Sequence, residues 1–134
     1  VASMRNVILN GANLSGADLT GVILSGAMLP GAVLSGARLR DAVLTGSNLE
    51  NVKLNNADLA KANLRRCNLR GADLMLATMR GAVLISAVLS DADMTLADLS
   101  QANFRGAILT GANFRWADLT DTEIDDDSMD LVNS

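Results

Sequence analysis

The chain has 134 residues, of which 49% are apolar and 2% are aromatic, and its formal net charge is −4. This length suits a single domain, and the apolar content is sufficient for a buried core rather than a disordered chain. The chain has no histidine and a single cysteine, Cys67, which excludes histidine-based catalytic triads, histidine-ligated zinc and an internal disulfide. We therefore expect no metal and no other cofactor, and the scarcity of aromatic rings argues against direct nucleic-acid binding by base stacking.

Charge is distributed unevenly along the chain. Residues 121–134 hold six acidic residues and no basic one, which leaves nine acidic and eleven basic residues in 1–120. The body thus carries a small positive excess, although the whole chain is acidic. The longest nearly apolar stretch, residues 82–89, is far shorter than the roughly 18–20 residues that span a bilayer. We expect no membrane span and a cytoplasmic protein, or a periplasmic or lumenal one if an N-terminal targeting segment has been removed.

A five-residue repeat begins at residue 2 and continues to residue 124. Every fifth residue from Met4 to Met129, here called the central residue, is Leu, Met, Phe or Ile, and up to residue 122 the residue two before each centre is small. Between these two inward residues lies an outward residue, which is Asn or Asp in twelve repeats, and all eleven glycines occupy the second of the two corner residues that follow the centre. A period of five fits neither a helix nor a long strand. It predicts three-residue strands joined by tight corners, where glycine accommodates a positive φ.

These repeats, for example residues 12–16 (Ala-Asn-Leu-Ser-Gly) and 72–76 (Ala-Asp-Leu-Met-Leu), resemble the pentapeptide repeat family over residues 2 to about 124. The resemblance implies an all-β fold, a right-handed quadrilateral β-helix with four pentapeptides in each coil. Residues 1–124 are then expected to form a solenoid of about six coils. Residues 125–134 are expected to form a short acidic C-terminal cap or tail, for which a helix is one option.

Four-sided coils bring several outward and corner residues together as a candidate interaction surface. Seven apolar outward residues fall on two adjacent faces, with Val33 as an exception: Ile8, Ile23, Met28, Val43, Val83, Val88 and Ile108. The alternative is that these residues merely favour strands. Three large apolar residues replace the usual corner residue at intervals of twenty, as if stacked on one corner: Leu76, Leu96 and Trp116.

A basic segment is a further candidate surface. Lys61, Arg65, Arg66, Arg70 and Arg80 lie close together in the sequence. They could bind an acidic partner or phosphate, and solvated surface charge is the simpler interpretation. Cys67 occupies a small inward position, and we expect a buried side chain rather than a reactive thiol.

No catalytic constellation is present, so we expect no enzyme. With twenty residues in each coil, four aspartates fall on one face: Asp18, Asp58, Asp98 and Asp118. They could suggest the paired carboxylates of a hydrolase, but we interpret these side chains as hydrogen-bonded to the local backbone. The sequence therefore favours a non-enzymatic binding or structural scaffold that presents flat faces to a protein partner. The resemblance implies one alternative, a DNA mimic that binds DNA gyrase or topoisomerase IV, as in quinolone resistance. The uncapped first coil and the apolar surface also predict a homodimer or an end-to-end stack.

Overall fold

The fold is a solenoid held together by pairing between successive coils. A computed structural model describes residues 1–128, of which only 126–128 are helical. Isolated parallel β-bridges run from Ser3, paired with Ile23, to Asn103, paired with Glu123, and every bridge joins residues that are twenty apart. Each strand contributes one bridging residue, because the chain turns again after three extended residues. Among the described residues, no helix is long and apolar enough to cross a membrane.

The bridges form four columns, which define four faces. The first face contains Ser3, Ile23, Val43, Asn63, Val83, Asn103 and Glu123, and the second contains Ile8, Met28, Asn48, Asn68, Val88 and Ile108. The third face contains Asn13, Val33, Lys53, Asp73, Asp93 and Asn113, and the fourth contains Asp18, Arg38, Asp58, Thr78, Asp98 and Asp118. Four pentapeptides thus complete the register of twenty residues, as the resemblance implied.

Every corner has the same backbone conformation. The second corner residue has φ between 54° and 74° at each repeat from residue 6 to residue 121. The next N–H donates to the central carbonyl, as from Ala12 to Leu9 at 3.0 Å, and this closes a turn of the type II pattern. The second corner N–H donates to the following coil, as from Gly11 to Pro30 at 2.9 Å. At Gly71 space matters as well as φ, because a Cβ there would overlap Oδ1 of Asn51.

The core is a stack of inward side chains along the solenoid axis. The central residues Leu44, Leu64 and Leu84 lie above one another in successive coils and are at most 1% exposed. Alanine at the small inward positions leaves room for these leucines, which is why both residues are needed in each repeat. Towards the C-terminal end the rings of Phe104 and Phe114 meet edge to face, with centroids 6.1 Å apart. The continuous core runs from residue 22 to residue 109, and Phe114 also belongs to it.

The acidic C-terminal segment begins with a contact to the last complete coil. One side-chain oxygen of Asp125 accepts a hydrogen bond from the N–H of Gly106 at 2.7 Å, and the Asp125 carbonyl accepts one from Ser128 at 2.9 Å. Helical residues 126–128 follow. The described part of the predicted cap or tail thus ends in helical residues, residues 129–134 lie outside the described residues, and the capping role stays a prediction.

Candidate interaction surfaces

The flat faces are built by side chains that stabilise the corners. Each of the twelve outward Asn and Asp residues accepts a hydrogen bond at its Oδ1 from the N–H two residues later, at 2.9–3.2 Å. This is the Asx-turn geometry, in which the side chain satisfies a backbone donor that the corner leaves free. The aspartates of the fourth face are engaged in this way, so the structure supports a turn-forming role for them rather than a paired catalytic one.

Hydroxyl groups strengthen five of these turns, at Asn13, Asp18, Asp93, Asp98 and Asp118. The Thr120 hydroxyl and N–H both donate to Asp118, at 2.6 Å and 2.9 Å, and Thr20 donates to Asp18 in the same way. The hydrogen bonds from Thr120 lower the pKa of Asp118, the side-chain bond contributing most, and those from Thr20 lower the pKa of Asp18. The pKa of each of these two aspartates is therefore lower than that of an ordinary carboxyl group, which favours its charged form.

The first two faces carry no charged outward residue between residues 3 and 108. The seven apolar outward residues predicted to share two adjacent faces lie there, and Val33 lies on the third face. Their exposure is unequal: Ile8 is 73% exposed and Ile108 is 51% exposed, whereas Ile23, Val43, Val83 and Val88 are partly buried. Within that range, four of the other five outward positions on these two faces are asparagine, so the faces present apolar side chains and neutral amide groups.

The acidic residues lie on the other side of the solenoid. All nine acidic residues of 1–120 are on the third and fourth faces or at the corners that adjoin them. The corner between the first and second faces instead carries four arginines, Arg5, Arg65, Arg66 and Arg105. Sequence reasoning missed this one-sided placement of the acidic residues, although reading the charges at a period of twenty would have found it.

The basic segment of the sequence does not form one cluster. Arg65 and Arg66 lie at the corner between the first and second faces, beside a cleft of about 240 Å³ that also contacts Thr45, Ile85 and Ser86. Arg70 lies one corner further on. Lys61 and Arg80 line a second cleft, of about 340 Å³, at the corner between the fourth and first faces. Five residues advance the chain by one face, so neighbours in the sequence point in different directions.

Arg40 and two acidic residues complete the charge pattern of the second cleft. Arg40 is paired with Asp58 at 3.2 Å, and Asp98 accepts hydrogen bonds from the hydroxyl and the N–H of Ser100. Within residues 1–128, no group of three His, Cys, Asp or Glu side chains could hold a metal ion.

The three apolar corner residues stack as predicted. Leu76, Leu96 and Trp116, here called the corner ridge, lie in successive coils at the corner between the third and fourth faces. They are 49%, 48% and 73% exposed. The Leu76 N–H donates to Thr95 and the Leu96 N–H to Arg115, both at 3.0 Å. The guanidinium carbon of Arg115 lies 5.7 Å from the centroid of the Trp116 ring, within the range of a cation–π contact.

Cys67 is buried in the core, as expected. Its Sγ lies 2.9 Å from the Leu44 carbonyl and 3.4 Å from the hydroxyl of Ser47. Burial raises the pKa of the Cys67 thiol, which disfavours the thiolate that a reactive cysteine needs. The thiol therefore acts as a small core side chain.

This geometry defines a parallel β-solenoid assembled from five-residue repeats. The sequence profile described as pentapeptide repeats matches the chain in eight copies, over residues 2–36, 37–75, 62–101 and 97–126. The chain belongs to the pentapeptide repeat family. A comparison with curated proteins finds no match.

Solved structures of pentapeptide repeat proteins are similar to this chain. A protein from the Arabidopsis thaliana thylakoid lumen is 28% identical, with a TM-score of 0.61 and coverage of 92% of this chain and 75% of its own. Rfr23 from the cyanobacterium Cyanothece 51142 is 26% identical, with a TM-score of 0.62 and coverage of 92% and 91%. These two imply a right-handed quadrilateral β-helix. QnrB1, a plasmid-mediated fluoroquinolone resistance protein, is 19% identical, with a TM-score of 0.48 and coverage of 98% of this chain and 86% of its own.

Proposed function

We propose that this protein is a non-enzymatic binding scaffold that presents the flat faces of its β-helix to a protein partner. The observation that carries the proposal is the pair of adjacent faces without charged outward residues between residues 3 and 108. Exposed Ile8, Met28 and Ile108 lie on the second of these faces. The apolar residues of this face form two groups, at Ile8 and Met28 and at Val88 and Ile108, separated by asparagines, and exposed apolar residues on an uncharged face are typical of protein contacts. The register of twenty supports about six coils over residues 2–124, a rod of roughly 29 Å.

Outward positions can be changed without disturbing the fold, which makes the proposal testable. Asn48 and Asn68 already stand in the column of the second face, so Ile8→Asn and Ile108→Asn place a residue there that suits the turn. The matched control is Thr78→Asn on the fourth face, where acidic and basic residues predominate. Circular dichroism and melting should be unchanged in all three variants.

Affinity capture from the source cells, with the bound proteins identified by mass spectrometry, is the experiment. We expect a specific partner whose recovery falls about tenfold with the double variant Ile8→Asn/Ile108→Asn and is retained with Thr78→Asn; such a loss corresponds to about 1.4 kcal/mol. Equal recovery by the parent and the double variant would contradict the proposal, because the uncharged faces would then contribute nothing to binding.

The DNA-mimic alternative is supported by the four aspartates in the column of the fourth face. A DNA duplex carries one negative charge per ~1.7 Å of axis, whereas the coils of a solenoid are ~4.8 Å apart. Over the roughly 24 Å from Asp18 to Asp118, a duplex would carry about fourteen negative charges. The fourth face offers four aspartates and one arginine, Arg38, which lies 4.0 Å from Asp18. This charge density favours the scaffold.

A gyrase supercoiling assay separates the two functions. We expect no inhibition at low micromolar protein. Inhibition that is reversed by added salt and by the triple variant Asp58→Asn/Asp98→Asn/Asp118→Asn would support the DNA mimic instead, since asparagine preserves the turn hydrogen bond and removes only the charge.

Two further predictions concern the oligomeric state of the protein and its location in the cell. Sedimentation at micromolar concentration measures whether the chain forms a homodimer or an end-to-end stack, and a mass independent of concentration would contradict this. We expect a cytoplasmic location, with the periplasm or a lumen as the alternatives.

A further inference from the structure

The corner ridge occupies positions where large apolar side chains are disfavoured. Leu76, Leu96 and Trp116 have φ values of 59°, 60° and 58°. In this left-handed region the Cβ of an L residue crowds the backbone, so glycine is favoured there and asparagine is better tolerated than other residues. Leucine and tryptophan gain nothing from the turn that would offset this disadvantage.

The rest of the described chain avoids such residues at the same position. Of the twenty-four second corner residues with positive φ, eleven are glycine and ten are polar or charged. The remaining three are the ridge residues, and they occur in successive coils of a single corner. Their side chains are about half exposed or more, so core packing does not account for them. An exposed apolar group at an unfavourable backbone position indicates selection for contact with something outside the chain.

The surroundings of the corner ridge are acidic. In the same three coils the third face contributes Asp73 and Asp93, and the fourth contributes Asp98 and Asp118. Arg115 is the single basic residue on these faces and their shared corner in those coils. The ridge is thus an apolar strip with carboxylates on both sides and an excess of three negative charges.

We propose that the corner ridge docks into an apolar groove edged by lysine and arginine side chains on a protein partner. Trp116 and the two leucines would fill the groove, since tryptophan is a frequent centre of binding energy in protein interfaces. The flanking carboxylates would meet the basic edge and speed association. An anionic lipid surface fits the apolar strip but is repelled by these carboxylates. This inference rests on the proposed binding function, and it adds that the partner has an apolar groove with positively charged edges.

Trp116 provides the measurement, because it is the only tryptophan in the chain and 73% exposed. The probe is a synthetic helical peptide of about five turns, with leucine along one face and lysine on both flanks. Its matched control has glutamate in place of every lysine. We expect a saturable blue shift of the Trp116 emission with the lysine peptide and at least about tenfold weaker binding of the glutamate peptide. Raising the salt from about 0.05 to 0.5 M should weaken the first interaction.

Variants that suit the backbone isolate the ridge from the fold. Leu76→Asn/Leu96→Asn keeps the tryptophan reporter and places a residue that tolerates positive φ, so it should fold at least as well as the parent and bind the lysine peptide about tenfold more weakly. Asp93→Asn/Asp98→Asn keeps both turn acceptors, and it should lose much of the salt dependence. Ile108→Asn, on the second face, should leave the peptide affinity unchanged.

Several results would overturn the inference. Equal affinity of the two peptides would show that a basic edge on the partner is not needed. Unchanged affinity of Leu76→Asn/Leu96→Asn for the lysine peptide would show that the ridge leucines do not contribute to binding. A blue shift with phosphatidylglycerol vesicles and with neither peptide would assign the ridge to a membrane. A blue shift of the protein alone with rising concentration, together with a doubled sedimentation mass, would assign it to a second copy.

The same variants separate this inference from the proposed function. If cellular partners are lost with Ile8→Asn/Ile108→Asn and retained with the ridge variant, the scaffold proposal holds and the ridge inference fails. If capture is unaffected by Ile8→Asn/Ile108→Asn, the scaffold proposal itself fails, and a loss with the ridge variant alone would then leave the ridge inference standing.

Discussion

Removal of one central leucine tests whether stacked coils share a single core. Leu64 is 0% exposed and lies between Leu44 and Leu84, which are each at most 1% exposed. Leu64→Ala removes three carbon atoms, worth about 2.4 kcal/mol at ~0.8 kcal/mol for each buried carbon. The stacked coils cannot close around the gap without breaking their hydrogen bonds, so a cavity cost raises the expected loss to about 3–5 kcal/mol. This is a large share of the ~5–15 kcal/mol that stabilises an ordinary domain.

Urea unfolding followed by circular dichroism measures this loss. Leu64→Asp should be far worse than Leu64→Ala, because a carboxylate there would be buried without a partner. Asn63→Asp is the control, since it adds the same charge one residue earlier on an outward side chain. Aspartate already fills that position in other repeats, where Asp58 and Asp73 accept the turn hydrogen bond, so the effect should be mild.

A position near the first coil provides a second control. Leu14 is a central residue like Leu64 but is only partly buried, so Leu14→Ala should cost clearly less than Leu64→Ala. The shared-core explanation is refuted if Leu64→Ala lies within about 1 kcal/mol of the parent, or if Leu64→Asp melts like the parent. Equal losses from the two alanine variants would show that stability does not depend on depth within the stack.

Three further outcomes follow from individual side chains. Asn63→Ala removes the acceptor of the Arg65 N–H, a hydrogen bond of 3.2 Å, and should cost about 0.5–1.5 kcal/mol in urea unfolding, whereas Asn63→Asp keeps the acceptor. The Cys67 thiol should resist a thiol reagent in the native state and react at the rate of unfolding, and rapid native labelling would contradict its burial. The pKa of Asp118 should rise towards its ordinary value in Thr120→Val when followed by NMR; because the folded value is the lower one, stability from this contact is present at neutral pH and is lost as the pH falls through it.

Most of the fold could be predicted because one rule recurs in almost every repeat. The inward pair, such as Ala62 and Leu64, sets the strand, and the corner residue sets the turn, so local and global preferences agree. Non-glycine corners such as Asp41 and Lys61 adopt the same positive φ as the glycines, because hydrogen bonds from neighbouring coils impose it. The family resemblance supplied the number of repeats in each coil, and the spacing of twenty between Leu76, Leu96 and Trp116 was an independent hint; a period of five fixes a corner and does not fix how many corners close a coil.

The membership of the candidate surfaces was harder to predict than the fold. Residues that are neighbours on one face or corner are twenty apart in the sequence, whereas residues close in the sequence lie on different faces. Arg66 and Arg70 are four residues apart in the sequence, yet they lie at different corners. Leu76 and Leu96 are twenty residues apart, yet they lie in successive coils of one corner. Local clustering therefore overstated a basic patch, whereas comparison at intervals of twenty placed the apolar outward residues and the corner ridge correctly.

The division between inward and outward positions explains why functional information is concentrated at exceptions. The width of the solenoid limits which residues can point inward, and the Asx turn favours Asn or Asp at outward positions. A residue that matches the repeat is therefore explained by the stability of the fold and gives no information about function. A departure that also costs stability has to be maintained by something else. Ile108 departs from the turn-forming pattern at little cost, because β-branched residues suit a strand. Leu96 departs from it at φ 60° with half its surface exposed, so the corner ridge is the stronger indication of a binding site.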